Sequence, residues 1–391
     1  MTWPMKPLSE LCELAIDCVN KTAPVVEGPT SYKMIRTTNV KGGFIDIEHV
    51  RYVTEETFEK WTRRSRPKYG DVVLTREAPV GEIGRCTFDE SQNIFLGQRL
   101  FLYRPDSKLL DWNYLAYALQ SPIVQNKLHG MSFGATVPHV KVGDAENLEI
   151  PYPELKVQKY IGATLAAYDD LIENNHRRIS LLEELARLRY RHLFSSVKMD
   201  SLPAGWKYTK LSTICDQIRE PADLANLQAD TPYLSMEHMT PKSITLGKWE
   251  YAGKVNSSKL IFRRNEVLFG RIRPYFHKVG IAFIDGITST DMIVVRPKNM
   301  LLLPIVALTM SSDEFVAHAV MTSNGTKMPR ADWKVLKDWE ILLPSKLELE
   351  SFSEELLPVF ESLENLSKQN NALVIARDQL LPKMISGEIQ I

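Results

Sequence analysis

The run GRIRPYFHK, from Gly270 to Lys278, is the densest mixture of basic and aromatic side chains in the chain. Arginine and lysine heads donate to paired acceptors such as guanine O6 and N7, while hydroxyls and backbone amides suit phosphate oxygens. Other loops predicted from the sequence carry the same groups. In the first half they are Arg36, Thr37, Lys41, Arg76, Arg99, Thr136, His139 and Lys141. In the second half they are Arg271, Arg273, Tyr275, His277, Lys278, Thr326, Lys327 and Arg330. Arg76 and Arg271 fall at matching strand ends, whereas His139 and Arg330 differ at matching loop positions. An ordinary solvated hairpin is the alternative reading of 270–278. The charge run Arg63-Arg64-Ser65-Arg66-Pro67-Lys68 is likewise either a phosphate holder or a solvated loop.

Groups suited to bond making are harder to find. A phosphate-cradling GxxxxGK[ST] loop is absent, as are a glycine-rich cofactor loop and an Asn/Asp-Pro-Pro-aromatic motif. Gly81-x-x-Gly84 lies between two predicted strands and reads as a turn. Pro105-Asp106-Ser107-Lys108 lacks the acidic-x-Lys strand of a nuclease and reads as a loop. The eight histidines show no HxxxH spacing, and Cys12, Cys18, Cys86 and Cys215 form no CxxC pair, so no metal site is expected. The cysteines read as reduced thiols of a cytoplasmic protein. The sequence therefore assigns no catalytic residue. Lys plus Arg equals Asp plus Glu at 48 each, for a net charge of zero, so any basic surface must be a local patch or belong partly to a partner. The N-terminus lacks a signal-peptide pattern, and no apolar run is long enough to span a bilayer.

The elements that hold these loops come in two diverged copies. FGATVPHVKVGDAENLEIPYP (133–153) aligns without a gap on NGTKMPRADWKVLKDWEILLP (324–344), sharing Gly134 with Gly325 and Pro138 with Pro329. Both close on Glu-Ile-x-x-Pro, at Glu149-Ile150-x-x-Pro153 and Glu340-Ile341-x-x-Pro344. Upstream, Trp3-x-x-x-x-Leu8-Ser9 matches Trp206-x-x-x-x-Leu211-Ser212. SYKMIRTTNV (31–40) matches TPYLSMEHMT (231–240), and 68–88 matches 263–283. NIFLGQRLFLYRP and STDMIVVRP each read as one third strand ending in Arg-Pro, followed by one helical run. Strands rich in Val, Ile, Phe and Leu, bounded by Gly, Asn, Asp and Pro, predict an α+β globule of about 150 residues per copy. With 391 residues, the chain has room for two such domains.

After each globule the spacing predicts a long helix, over Gln158–Phe194 and again over Leu349–Ser386. Ile161, Leu165, Tyr168, Ile172, Ile179 and Leu182 follow a 3-4 spacing, as do Leu356, Phe360, Leu363, Leu366, Leu373, Leu380 and Met384. About 35 residues of helix reach roughly 50 Å. Each apolar stripe requires a partner, and the other helix is the nearest. Asn175 and Asn370 lie in or beside the seams, where a buried Asn fixes register. Solvent-facing helices are the alternative.

A repeated variable unit, Gly-x-x-x-Pro, Ile-x-x-Pro leading into a long helix, and a closing LLPKMISGEI (380–389) together resemble the specificity subunit of type I restriction–modification systems. The counterpart RYRHLFSSVK has Ser196 where the second copy has Gly387, so the first helix is expected to end less sharply. The resemblance covers essentially the whole chain. It implies an α+β fold with two similar α/β target-recognition domains joined by two long antiparallel coiled-coil helices, an internal pseudo-twofold repeat. The expected division is 1–152 for recognition domain 1, 153–197 for spacer helix 1, 198–343 for recognition domain 2 and 344–391 for spacer helix 2. The family likeness further implies a non-catalytic subunit that reads a bipartite double-stranded DNA target and recruits two methylation subunits and, through them, restriction subunits. No cofactor is expected in this chain; the partners would use S-adenosylmethionine, ATP and Mg. The competing readings are a two-domain coiled-coil scaffold without DNA sequence preference and a divergent enzyme active without partners.

Overall fold

The computed structural model describes residues 3–19, 21–134, 138–195, 197, 201–253, 257–325 and 327–389. The chain divides into two compact units, Met1–Leu171 with Val374–Ile391, and Ile172–Leu373. Each takes a share of both long helices.

In the first unit Cys12–Asp17, Leu100–Pro105, Val72–Arg76 and Val80–Arg85 form an antiparallel four-stranded sheet in that spatial order. Successive side chains of a strand point to opposite faces, and both faces are covered. Val72, Leu74, Phe101 and Tyr103 enter one cluster with the helices Trp112–Gln120 and Pro122–Gly130. Val73, Leu100 and Leu102 enter a second cluster on the other face. The strand is therefore apolar at every position rather than at alternate ones. A smaller sheet runs Arg51–Tyr52, Lys33–Ile35, Ile94–Leu96, its last pairing parallel.

The second unit repeats this frame. Cys215–Ile218, Met292–Pro297, Val267–Gly270 and Val279–Ala282 stand in the same order, extended by Thr245–Leu246 at the edge. Val267, Phe269, Ile293 and Val295 face one cluster, and Leu268, Met292 and Val294 the other. The small sheet recurs as Glu250–Tyr251, Pro232–Leu234 and Gly286–Ser289, again with one parallel pairing, and gains Lys259–Phe262. Even the short ladder Met5–Pro7 with Glu149–Pro151 has its copy in Lys207–Lys210 with Glu340–Leu343.

The Arg-Pro strand endings also have a repeated cause. Arg104 donates twice to the fully buried Asp71, at 2.8 Å each. Arg296 donates to the buried Glu266 at 2.6 Å. Asp71 and Glu266 occupy corresponding positions at the start of the neighbouring strand, and a buried carboxylate without such a donor is costly.

Two expectations need correction. The third strand of the first copy is two strands in different sheets, Ile94–Leu96 then Leu100–Pro105, whereas the run 289–297 of the second holds the single strand Met292–Pro297, preceded by Gly286–Ser289 in the smaller sheet. In the first unit the break is made at Gly97-Gln98-Arg99, with Arg99 at φ +72°. The single helical run is two helices in each unit. Pro122 can stand at a helix start but not in its interior, so Ser121 ends one helix and opens the next. In the second unit Ser311 closes the first helix and Ser312 opens the next, accepting from the Phe315 amide at 3.1 Å.

The long helices are Leu155–Ser195 and Lys346–Ser386. Each begins three residues before its expected start, directly after Pro153-Glu154 and Pro344-Ser345, and Ser345 caps the second by accepting from the Glu348 amide at 3.4 Å. Within the second unit Asn175 Nδ2 donates to Asn370 Oδ1 at 2.9 Å, and both are buried. Arg189 pairs with Glu355 in the same antiparallel sense. Within the first unit Asp169, also buried, accepts from Tyr117 at 2.5 Å and from Arg377 at 2.6 Å, again pairing the helices head to tail. Gly387, at φ +76°, ends the second helix, and the Glu388 amide turns back to the Lys383 carbonyl. The matching Ser196 lies outside the described residues. At Gly162 the helix packs close to the fold, since a Cβ there would lie 2.5 Å from Asp111 Oδ1 and 2.8 Å from the Tyr114 amide.

The four cysteines are free thiols. Burial pushes Cys12 and Cys215 up to about 12 and Cys18 up to about 11, so thiolate chemistry is suppressed. Among the described residues no single helix is long and apolar enough to cross a membrane. The bent pair Met300–Met310 and Asp313–Met321 is apolar because it fills the second unit's core.

Candidate nucleic-acid interface

The motif that occurs twice in the sequence makes the same object twice. In the first unit Phe133 and His139 exchange backbone hydrogen bonds of 3.0 and 2.9 Å, closing a hairpin. In the second, Asn324 and Arg330 do so at 3.1 and 2.9 Å. Gly134 (φ +109°) and Gly325 (φ +93°) begin the turns, in a backbone region that other residues rarely adopt. Each hairpin is fastened to the end of a core strand. Val140 and Arg76 are joined by a 3.0 Å amide-to-carbonyl bond, and Ala331 and Arg271 by one of 2.9 Å.

The two matching arginines complete this fastening. Arg76 Nη1 donates to the Val140 carbonyl at 2.8 Å, and Arg271 Nε donates to the Ala331 carbonyl at 3.1 Å. Arg76 also lies 3.8 Å from Asp17 and is only 12% exposed. Both hold the hairpin, while Arg271 additionally lines a cleft of about 230 Å³ with Gln217, Arg219 and Thr290.

Around the first hairpin the fold gathers four segments. Thr37 donates to the Ala78 carbonyl at 3.0 Å, drawing the turn Thr37–Asn39 against the loop that follows Arg76. Glu77 bridges to His139 through the backbone, and its carboxylate pairs with Arg99 at 3.2 Å. His139 and Lys141 are exposed, and Lys141 Nζ lies 4.4 Å from the ring centre of Phe133, itself 52% exposed. Lys41 is exposed on the neighbouring short ladder. Arg36 is half-buried, with its amide bonded to Asn39 Oδ1.

In the second unit the corresponding turn Met236–His238 receives Lys278 Nζ at the Met236 carbonyl, 2.6 Å away. Tyr275 and Phe276 are both exposed and stack edge to face at 4.9 Å. Arg273 sits at φ +49° over Phe276. Arg330 and Lys327 are exposed on the hairpin, and Arg330 pairs with Asp291 at 3.8 Å. His277 lies apart from this group. It is buried, its Nε2 within 2.9 Å of the Ser311 carbonyl and its Nδ1 3.5 Å from Asp313, because φ +52° turns it back under the helix Asp313–Met321. Thr136 and Thr326 lie outside the described residues.

Arg36, Arg76 and Arg273 each keep a buried Nε with no hydrogen-bond partner among the described residues. Such orphans are rare in folded interiors and call for a cause. The run 63–68 is largely spent on its own unit, with Arg64 on Asp17 at 3.0 Å and Arg66 on Glu59 at 2.7 Å. Sequence reasoning missed Glu77 and Asp291. Both are acids on a rim otherwise made of basic and hydroxyl groups, and Asp291 stands at the strand break where the first copy has Arg99.

Comparison with known proteins finds type I restriction–modification specificity subunits. A profile described as the type I restriction modification DNA specificity domain matches residues 1–184. The MjaIX type I restriction enzyme specificity subunit of Methanocaldococcus jannaschii is 23% identical over 369 residues, covering 87% of this chain and 82% of its own. The EcoDI type I restriction enzyme specificity subunit of Escherichia coli is 22% identical over 337 residues, 75% of this chain and 73% of its own. The crystal structure of the S subunit of a type I restriction–modification system from M. genitalium superposes with a TM-score of 0.63 at 16% identity, over 98% of this chain and 96% of that one. With the same frame present twice and two long helices following its copies, the chain resembles type I restriction–modification specificity subunits along most of its length.

Proposed function

We propose that the chain reads a split double-stranded DNA target, one half-site per unit, as the specificity subunit of a type I restriction–modification complex. The observation that carries this reading is one frame built twice, with the same hairpin fastened by the same arginine, yet edged by different side chains. The matching hairpins carry different exposed side chains, His139 and Lys141 in the first unit and Lys327 and Arg330 in the second, with Tyr275 and Phe276 exposed in the second unit. Basic heads interleaved with exposed aromatics suit a polyanion with hydrogen-bonding edges. A chain of zero net charge achieves this with local patches and with surface supplied by partners.

In this reading residues 1–152 and 198–343 are the recognition domains, and 153–197 and 344–391 are spacer helices that fix the gap between half-sites. Two readers on one side of a duplex fall about one helical turn, roughly 34 Å, apart. The subunit performs no bond chemistry. It binds methylation subunits, two of them, and restriction subunits through these, and the partners bring S-adenosylmethionine, ATP and Mg. The assembly works in the cytoplasm, where its DNA is. The test is to select duplexes from a randomised pool with the chain in complex with its methylation subunit. Two short defined blocks around a fixed gap are expected. Retention without any enriched sequence would instead support a scaffold. Shortening both helices by matched heptads should shorten the gap, and an unchanged gap would remove the spacer role.

A further inference from the structure

We infer that Arg99 and Arg330 are the base-reading guanidiniums of the two units, and that Glu77 and Asp291 are positioning residues that aim them. The two half-sites are then read from non-equivalent loops. This rests on the DNA-reading proposal and deepens it.

Backbone hydrogen bonds, rather than sequence similarity, fix the correspondence. The Arg76 amide donates to the Arg99 carbonyl and the Arg271 amide to the Asp291 carbonyl, each at 2.9 Å. Arg99 and Asp291 are therefore the same place in the frame. The bridges Glu77 to His139 and Ile272 to Arg330 make those pairs equivalent too. In the first unit the strand-break position is basic and its acidic partner follows the clamp arginine. In the second unit the strand-break position is acidic and its basic partner lies on the hairpin. Each unit thus holds one arginine–carboxylate pair on its rim, with the arginine supplied from a different segment.

The pairs are built for presentation. Arg99 is 41% exposed beside Glu77 at 28%, and Arg330 is 48% exposed beside Asp291 at 39%. Exposed ion pairs contribute little to stability, so stability does not explain their placement. Arg99 also holds φ +72°, a conformation uncommon for a non-glycine residue and concentrated at functional positions. Glu77 lies 3.2 Å from Arg99 Nε and Asp291 lies 3.8 Å from Arg330 Nη2, the latter an ion pair rather than a hydrogen bond; a carboxylate so placed biases the guanidinium rotamer and leaves other N–H groups for a ligand. That free fork matches O6 and N7 of guanine, and the second carboxylate oxygen accepts from N4 of cytosine. The ligand chemistry is accordingly a G·C pair in each half-site. Arg76 and Arg271 are not equivalent to these groups, because both have a donor committed to a hairpin carbonyl.

The test uses the complex of the full chain with its methylation subunit, in competition against duplexes carrying every single base-pair change in the selected motif. Arg330→Ala should lose about tenfold in affinity for the motif and lose discrimination at one G·C pair of one half-site. Asp291→Asn should lose discrimination at that same pair, and Asp291→Glu should retain it. Arg99→Ala and Glu77→Gln should act together in the other half-site. Unchanged thermal melting of each variant separates these effects from unfolding. Equal weakening on all duplexes would make the arginines phosphate contacts and overturn the inference. So would Asp291→Asn keeping full discrimination where Arg330→Ala abolishes it. A wild-type complex that selects no motif defeats the DNA-reading proposal as well, whereas a wild-type motif that the variants leave intact defeats this inference alone.

Discussion

The two units share one frame of strands and hairpin and carry different side chains on its rim. Their core strands carry the same double-sided apolar pattern, their strand ends carry the same arginine clamp, and their hairpins turn on the same glycine. The rims diverge, with Arg99 against Asp291, His139 against Arg330, and Glu77 against Ile272. A frame can be reused while its edge is rewritten, because an exposed loop residue has few packing neighbours to satisfy. Even inside the frame the copies are not equal. Asp71 is held by both arms of Arg104, which is 19% exposed, whereas the side chain of Arg296 over Glu266 is 45% exposed.

That last contrast gives the largest expected effect. Asp71→Ala leaves Arg104 without its carboxylate in a mostly buried setting and should cost about 3–5 kcal/mol. Glu266→Ala should cost clearly less, since water reaches Arg296. Urea unfolding of the two variants measures both, and equal losses would break the contrast. Next come the clamps. Arg76→Ala and Arg271→Ala each remove a charge-assisted bond of about 1.5–3 kcal/mol. Hydrogen exchange should accelerate at Val140 in the first variant and at Ala331 in the second, with little change in the opposite unit. Acceleration in both hairpins from either variant would mean that the clamp is not local. A smaller contrast concerns the helix faces. Gly162→Ala forces a Cβ against Asp111 and the Tyr114 amide and should cost about 1–3 kcal/mol. At the corresponding position Ser353 donates to the Leu301 carbonyl at 2.6 Å, so Ser353→Ala should cost only about 1 kcal/mol. Thermal denaturation of the pair sharpens or removes this distinction.

Much of the frame was legible in the sequence because it is written in periodicity and punctuation. The repeat, the long helices with their 3-4 stripes, the paired asparagines and the glycine stop at 387 follow from residue type and spacing alone. The split third strand was not legible. A run such as IFLGQRLFLYRP is apolar on both sides of its break, and only the positive φ at Arg99 shows that the chain changes sheets. The rim was partly legible, since a list of basic loop residues does not reveal which ones the protein uses for itself. Arg76, Arg271 and Lys278 donate to backbone carbonyls, and His277 is turned inward. Those roles depend on partners 34 to 64 residues away in sequence, and no local pattern encodes them.

The most direct test of two frames reading two half-sites is a map of methylated bases in cells that produce this chain with its methylation subunit. The predicted result is a split motif, two short defined blocks around a fixed unspecified gap. A continuous motif would mean that one unit does not read DNA, and an intact complex that methylates nothing would contradict the two-reader account.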